Sequence, residues 1–412
     1  MRNEPTPPAI GDLFSGLPRT IPPANEDEWR ELYFLLGSTF SPHQPINEKD
    51  LFVGRVDLIA KVIDATYQAG KHIALFGDRG VGKSSLANSL RSTLMGLNRP
   101  TLCIKRLCTV EHDFGMIWQH VFDEFQVDGK PVAEALGDNP NPYDVFKILR
   151  DIEPNRRIVI ILDEFDRIKD ERTKMLMGDL IKALSDNDER TTVVIVGVAK
   201  NIAGLFSDHA SLPRAMQQLP MPRMDNDELR QIVTSRLPTV GMDIEDDALD
   251  TIVTLSQGFP GFTHLIALNA ARIAVRRRSV KVTMDDLGAA LRIVVEEADQ
   301  SVSDAYFNAV RSSRVENQYR QVLLACAVAD TDERGRFTAR AVGEALKRIG
   351  TPLAMTSFGR NLEQFCSTER GPTLNREGLP KNYQYYFDYP LLKPFTIIKG
   401  LSEGTITSAQ LG

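Results

Sequence analysis

Ile73-Ala-Leu-Phe-Gly77-Asp-Arg-Gly-Val-Gly-Lys83-Ser84-Ser85-Leu-Ala-Asn-Ser-Leu90 is the stretch that decides how this chain reads. An apolar run gives way to Gly77, Asp78, Arg79, Gly80, Val81, Gly82, Lys83 and Ser84, which fit G-x-x-x-x-G-K-[ST], and an amphipathic run opens at Ser85. Strand, loop and helix therefore follow one another. The glycines let the backbone curl so that successive N–H groups and the helix N-terminus face one concave anion site, suited to the β- and γ-phosphates of a nucleotide. Lys83 adds a point charge there. Ser84 offers a hydroxyl to Mg²⁺, which takes oxygen ligands and commonly arrives already holding nucleotide phosphates. The expected cofactors are ATP and Mg²⁺.

Outward from that loop, Ile158-Val-Ile-Ile-Leu-Asp163-Glu164 is an apolar strand ending in adjacent carboxylates. Neighbouring residues at a strand end point in different directions, so the two acids divide the work. Asp163 is expected to hold the Mg²⁺ shell, and Glu164 to orient or deprotonate the water that attacks the γ-phosphate. An ATPase or an ATP-controlled switch is the implied activity.

Five β-branched runs, Lys71 to Phe76, Thr101 to Leu107, Arg157 to Leu162, Thr192 to Val198 and Gln217 to Met221, alternate with amphipathic segments, the pattern of a parallel sheet covered by helices. Four helical patterns follow without an intervening strand: Asn226 to Leu237, Asp246 to Gln257, Phe262 to Arg277 and Met284 to Ala298. Arg272, Arg276, Arg277 and Arg278 read as a basic helix end favoured by its own dipole. Beyond Glu316, helical patterns at Tyr319 to Val328, Thr338 to Ile349 and Met355 to Cys366 lead into a turn-rich hairpin ending in Tyr383, Tyr385, Tyr386 and Phe387, which is winged-helix order. The expected domains are a proline-rich arm over 1–46 with a short helix near Glu26 to Leu36, an ATP-binding α/β domain over 47–225, a helical lid over 226–300, a linker over 301–315, a winged helix over 316–400 and a tail over 401–412.

The 412 residues suit two or three domains, and 42% apolar with 25% charged residues excludes a disordered or fibrous chain. No apolar run approaches the roughly 20 residues needed to cross a bilayer, and no secretory signal opens the chain, so a cytoplasmic protein without membrane contact is expected. Cys103, Cys108, Cys326 and Cys366 form no Cys-x-x-Cys pair and read as buried thiols. The net charge is −6, yet residues 316–412 carry 12 basic against 10 acidic side chains, which marks that end as the one to meet a nucleic acid.

These motifs resemble those of AAA+ ATPases of the Orc1/Cdc6-like group and, more loosely, transposition-regulator and STAND-type signalling ATPases, over roughly residues 48–400. Leu51-Phe52-Val53-Gly54-Arg55 is similar to the family's motif beside the adenine, and Leu162-Asp-Glu-Phe-Asp-Arg167 to its acid-rich strand end. The resemblance implies an α/β P-loop fold with sheet order 5-1-4-3-2, a helical lid, a C-terminal winged helix and assembly into homo-oligomers. It implies a polar sensor at Lys200 or Asn201, and an arginine finger at Arg214 within Asp208-His-Ala-Ser-Leu-Pro-Arg214. Gln257-Gly-Phe-Pro-Gly-Phe-Thr-His264 stands where the family usually places a second sensor arginine and has none, so slow hydrolysis is expected. A winged helix can contact double-stranded DNA, here through Arg360 and Asn361 on its third helix and Arg370, Arg376 and Lys381 in the wing. The first expectation is therefore an ATPase whose nucleotide state controls assembly and DNA contact through the winged helix; the alternative is a STAND-like signalling or defence switch whose winged helix and N-terminal arm bind protein partners.

Overall fold

The computed structural model describes residues 22–42, 55–96, 101–127, 129–152, 155–187, 190–199, 201–206, 212–312, 318–332, 335–371, 373–379 and 382–411. Two compact units share the chain, one formed by His43–Glu228 and the other by Leu229–Gly412 together with the residues before His43.

In chain order the elements are α1 (Glu26–Thr39), α2 (Val56–Thr66), β1 (His72–Gly77), α3 (Lys83–Gly96), β2 (Thr101–Leu107), α4 (Phe114–Phe122), α5 (Pro142–Asp151), β3 (Arg157–Asp163), α6 (Glu171–Asn187), β4 (Thr191–Val198) and β5 (Met216–Pro220). There follow α7 (Asn226–Arg236), α8 (Asp246–Ser256), α9 (Pro260–Arg276), α10 (Met284–Glu297), α11 (Gln300–Val310), α12 (Tyr319–Val328), β6 (Phe337–Thr338), α13 (Ala339–Arg348), α14 (Met355–Phe365), β7 (Leu374–Glu377), β8 (Gln384–Phe387) and α15 (Leu392–Ser402).

The unit over His43–Glu228 is built on a parallel sheet of order β5-β1-β4-β3-β2, the 5-1-4-3-2 order that the motifs imply. Its strands read as continuous apolar runs because helices cover both faces; six of the seven residues of β3 are buried, and all of β4 but Val198. One face packs on Trp118, Phe122, Phe165, Leu180 and Phe206. All five strands fall within a residue or so of the positions expected of them.

In the other unit, α8, α9 and α10 bury apolar faces, and α10 opens with a capping box of Thr283 and Asp286; the expectation of helices without an intervening strand is corrected, since Asp243–Ile244 and Lys281–Val282 pair as short parallel strands. The helix before Phe40 belongs to this unit: Trp29, Leu32 and Leu36 of α1 are buried, and the helix packs on α9. Here the arginine run differs from a helix end answering only to its dipole. Arg276 donates to the Tyr33 hydroxyl at 3.1 Å, Arg272 lies 4.9 Å over the Tyr33 ring, Arg278 pairs with Glu26, and Arg277 grips both oxygens of Asp286 at 2.7 Å. The run fastens α1 and the start of α10 to α9.

The C-terminal part folds as α12, β6, α13, α14, β7 and β8, with a three-stranded antiparallel sheet of order β6-β8-β7. Tyr385 stacks on Phe337 and is buried, so it packs beneath the hairpin. The expectation of a linker over 301–315 is corrected over its described part. Gln300–Val310 is a helix whose Val302, Tyr306, Ala309 and Val310 are buried, and Tyr306 meets Phe395 edge to face. The tail expected from residue 401 likewise contains the end of α15 and the buried Ile406, since α15 packs on α10, α11 and α12. Among the described residues no helix is long and apolar enough to cross a membrane.

Candidate nucleotide site

β1 delivers its chain into the loop Gly77–Gly82, and α3 starts at Lys83. Each glycine answers a separate demand. Gly80 and Gly82 have φ of 85° and 93°, left-handed values that side chains resist, while a Cβ on Gly77 would meet the Met221 carbonyl oxygen at 2.3 Å. Lys83 is buried, and its ammonium donates to the carbonyls of Gly77 at 3.1 Å and Asp78 at 2.7 Å. Burial pushes its pKa down, against the pull of Asp166, Asp78 and Asp163. Asp78 pairs with Arg223 at 3.3 Å, and Arg79 is exposed.

The second strand end meets this loop from the side. Ser84 Oγ donates to Asp163 Oδ1 at 3.2 Å, so the two expected Mg²⁺ ligands converge. Asp163 is almost fully buried, and its Oδ2 lies 2.8 Å from the ammonium of Lys105 on β2, a partner that the motifs do not announce. Glu164 takes a left-handed backbone with φ of 55°, and its carboxylate pairs with Arg167 at 2.9 Å. A non-glycine residue held in that region costs on the order of 1 kcal/mol and here turns the acid away from the strand direction. Asp166 accepts the backbone N–H of Val198 at 2.7 Å, tying the acidic turn to the end of β4. Lys105 and Arg223 escape a motif search because their partners, Asp163 and Asp78, lie on a neighbouring strand and in the glycine loop.

Arg55 is buried with φ of 58°; its guanidinium donates to the Pro222 carbonyl at 2.6 Å and pairs with Glu228 at 3.5 Å. Phe52, Val53, Gly54, Lys200 and Lys381 lie outside the described residues. Asn201 accepts the Gly204 N–H at 3.1 Å and so caps a short turn, leaving its amide group to donate. Arg214 is exposed on the four-residue helix Leu212–Ala215.

Of the residues expected to touch DNA, Arg360 is exposed on α14 beside Asn361, and Arg376 is exposed on β7 with its guanidinium 4.6 Å over Tyr383. Arg370 is half-buried and is held by the fold through one of its nitrogens. Its Nη1 donates to the carbonyls of Ala309 at 2.7 Å and Arg311 at 2.8 Å, and the guanidinium lies 3.6 Å over the Tyr319 ring. These bonds satisfy the free carbonyls at the end of α11, so the side chain serves the fold.

The donors fit Mg²⁺ as a nucleotide-borne ion. Ser84 Oγ and Asp163 Oδ1 are hard oxygens, and among the described residues no group of three or more His, Cys, Asp or Glu gathers that could hold a metal by itself.

Comparison with known proteins bears on the fold and the family. The Walker-type ATPase PABY2304 of Pyrococcus abyssi superposes with a TM-score of 0.51 at 16% identity, over 87% of this chain and 99% of that one. Cdc6p of Pyrobaculum aerophilum superposes with a TM-score of 0.49 at 13% identity, over 90% and 99% of the two chains. No curated protein matches the sequence. At such identities the first likeness shows a fold, that of a P-loop AAA+ ATPase. The family model described as Novel STAND NTPase 1 matches residues 41–354, which spans the phosphate loop, the acidic strand end and the helices that follow, and the chain belongs to that family.

Proposed function

We propose that the chain is an ATP-controlled switch of the cytosol: ATP binds at Gly77–Ser84, slow hydrolysis resets it, and the C-terminal helices and sheet present a nucleotide-dependent surface to protein partners. The observation that carries this reading is the convergence of Ser84 Oγ and Asp163 Oδ1, 3.2 Å apart, beside the buried Lys83 ammonium. Bound Mg²⁺ would neutralise phosphate charge. Lys83 leaves the carbonyls of Gly77 and Asp78 for the phosphates, and the loop N–H groups hold the same oxygens. Glu164 accepts the proton of the attacking water once it parts from Arg167. The Asn201 amide, or Lys200, marks the γ-phosphate. Arg214, exposed, is offered to the nucleotide of a second copy in a homo-oligomer, where a guanidinium stabilises transition-state charge. Calorimetry with Mg²⁺ and a non-hydrolysable ATP analogue tests the reading: heat from the wild type and none from Lys83→Ala supports it, and no heat from folded wild type overturns it.

A second reading has a specific observation in its favour. The order α12, β6, α13, α14, β7, β8 is compatible with a winged helix, and exposed Arg360 with Asn361 on α14 suits contact with double-stranded DNA. Glu377 beside Arg376 and the inward commitment of Arg370 leave little positive charge on the wing, which favours protein partners. Retention on DNA with a salt slope that falls by about one in Arg360→Ala would favour the DNA reading.

A further inference from the structure

We propose that Lys105 is a resident cation that blocks Asp163 from taking up a divalent metal by itself, so that the centre accepts Mg²⁺ only as a nucleotide complex. The proposal rests on the nucleotide reading above. The Asp163 side chain is 3% exposed and both of its carboxylate oxygens are engaged: Oδ2 by the Lys105 ammonium at 2.8 Å, Oδ1 by the Ser84 hydroxyl at 3.2 Å and the Glu164 N–H at 3.0 Å.

Lys105 reaches this position by register. β2 pairs with β3 so that Lys105 stands opposite Ile161, two residues before the acid, and Asn88 of α3 accepts from the same ammonium. The ammonium is therefore held by two partners, and the side chain is only 17% exposed. The neighbouring acids are also answered within the fold, Glu164 by Arg167 and Asp166 by the Val198 N–H.

A lone divalent ion arriving here must displace one ammonium while facing a second, that of Lys83, at a low local dielectric. A triphosphate reverses the balance. Its negative charge draws Lys83 from the loop carbonyls and carries the metal to Ser84 and the open side of Asp163. Lys105 keeps Asp163 presenting one oxygen, which makes it a positioning residue.

Mn²⁺ is the probe, followed by loss of its free electron paramagnetic resonance signal on the full chain, with and without a non-hydrolysable ATP analogue. Wild type should take up Mn²⁺ only with the analogue. Lys105→Met should bind it without nucleotide about tenfold or more tightly than wild type, and Lys105→Arg should behave as wild type. Equal nucleotide-free affinity in Lys105→Met and wild type overturns the proposal. Should Lys105→Met not fold, Lys105→Gln removes the same charge from Asp163, and unchanged nucleotide-free Mn²⁺ affinity there overturns it as well. Failure of the nucleotide reading looks different: folded wild type then takes up no Mn²⁺ even with the analogue.

Discussion

Glu164 Oε2 lies 2.9 Å from Nη1 of Arg167, so the carboxylate that we propose acts on water is already paired with a guanidinium three residues along the same turn. Both side chains are more than two-fifths exposed, and an ion pair in that setting stabilises by less than about 1 kcal/mol. Arg167→Ala should raise ATP turnover by about two- to fivefold, the factor corresponding to that energy, with nucleotide affinity unchanged. Steady-state rates beside calorimetric affinities check it; lower turnover at equal affinity would show that Arg167 helps Glu164.

Lys83 is held in a dry loop against carbonyl oxygens, and the cost of burying its ammonium offsets what the two hydrogen bonds return. Lys83→Met should leave the nucleotide-free melting temperature within a few degrees of wild type, while ATP affinity falls about 10- to 100-fold with loss of a charged hydrogen bond. Differential scanning fluorimetry with and without ATP separates the two effects.

His264, on α9, is buried against Phe40, and among the described residues neither imidazole nitrogen has a hydrogen-bond partner. Burial, helped by the charge of Arg236, pulls its pKa down to about 3. A depressed histidine means that the unfolded chain takes up a proton that the folded one refuses, so stability is lost as pH falls below about 6.5 towards 3. At pH 5 the loss is about 2 kcal/mol. His264→Phe should flatten the acid limb of a pH series of urea melts, and an unchanged limb would remove His264 as its source.

Arg370 links the start of the hairpin to the end of α11 through two carbonyls and the Tyr319 ring. Arg370→Ala should lower stability by about 1 kcal/mol, because one part-buried and one exposed carbonyl lose their donor. Any affinity for DNA, measured under conditions where the variant is folded, should stay as in wild type. A weakened DNA complex with unchanged melting would return Arg370 to the nucleic-acid face.

How far the sequence speaks depends on where each residue finds its partner. β3 and β4 were legible because strands covered on both faces must be apolar throughout, and the glycine pattern of residues 77–82 shows because left-handed turns demand it. Lys105 was not legible: its meaning depends on the pairing of β2 with β3, which sets Lys105 near an acid 58 residues away. Arg370 misled for the same reason, since a surface-type residue gives no sign that its acceptors lie at Ala309 and Arg311. The helix Gln300–Val310 reads as a linker in sequence because its buried Val302, Tyr306, Ala309 and Val310 stand among Ser, Asp, Gln and Asn. Its partner, α15, lies some 90 residues further on.

The membership of α1 in the unit beginning at Leu229 has a topological corollary. The ATP-binding body is an insertion, entered near His43 and left near Glu228, with both of its ends anchored in one host. A truncation starting at residue 43 would spare every phosphate-binding group yet strip Trp29, Leu32, Leu36 and Phe40 from the host's interior. Such a fragment should aggregate through a bared face of α9 rather than behave as a minimal ATPase.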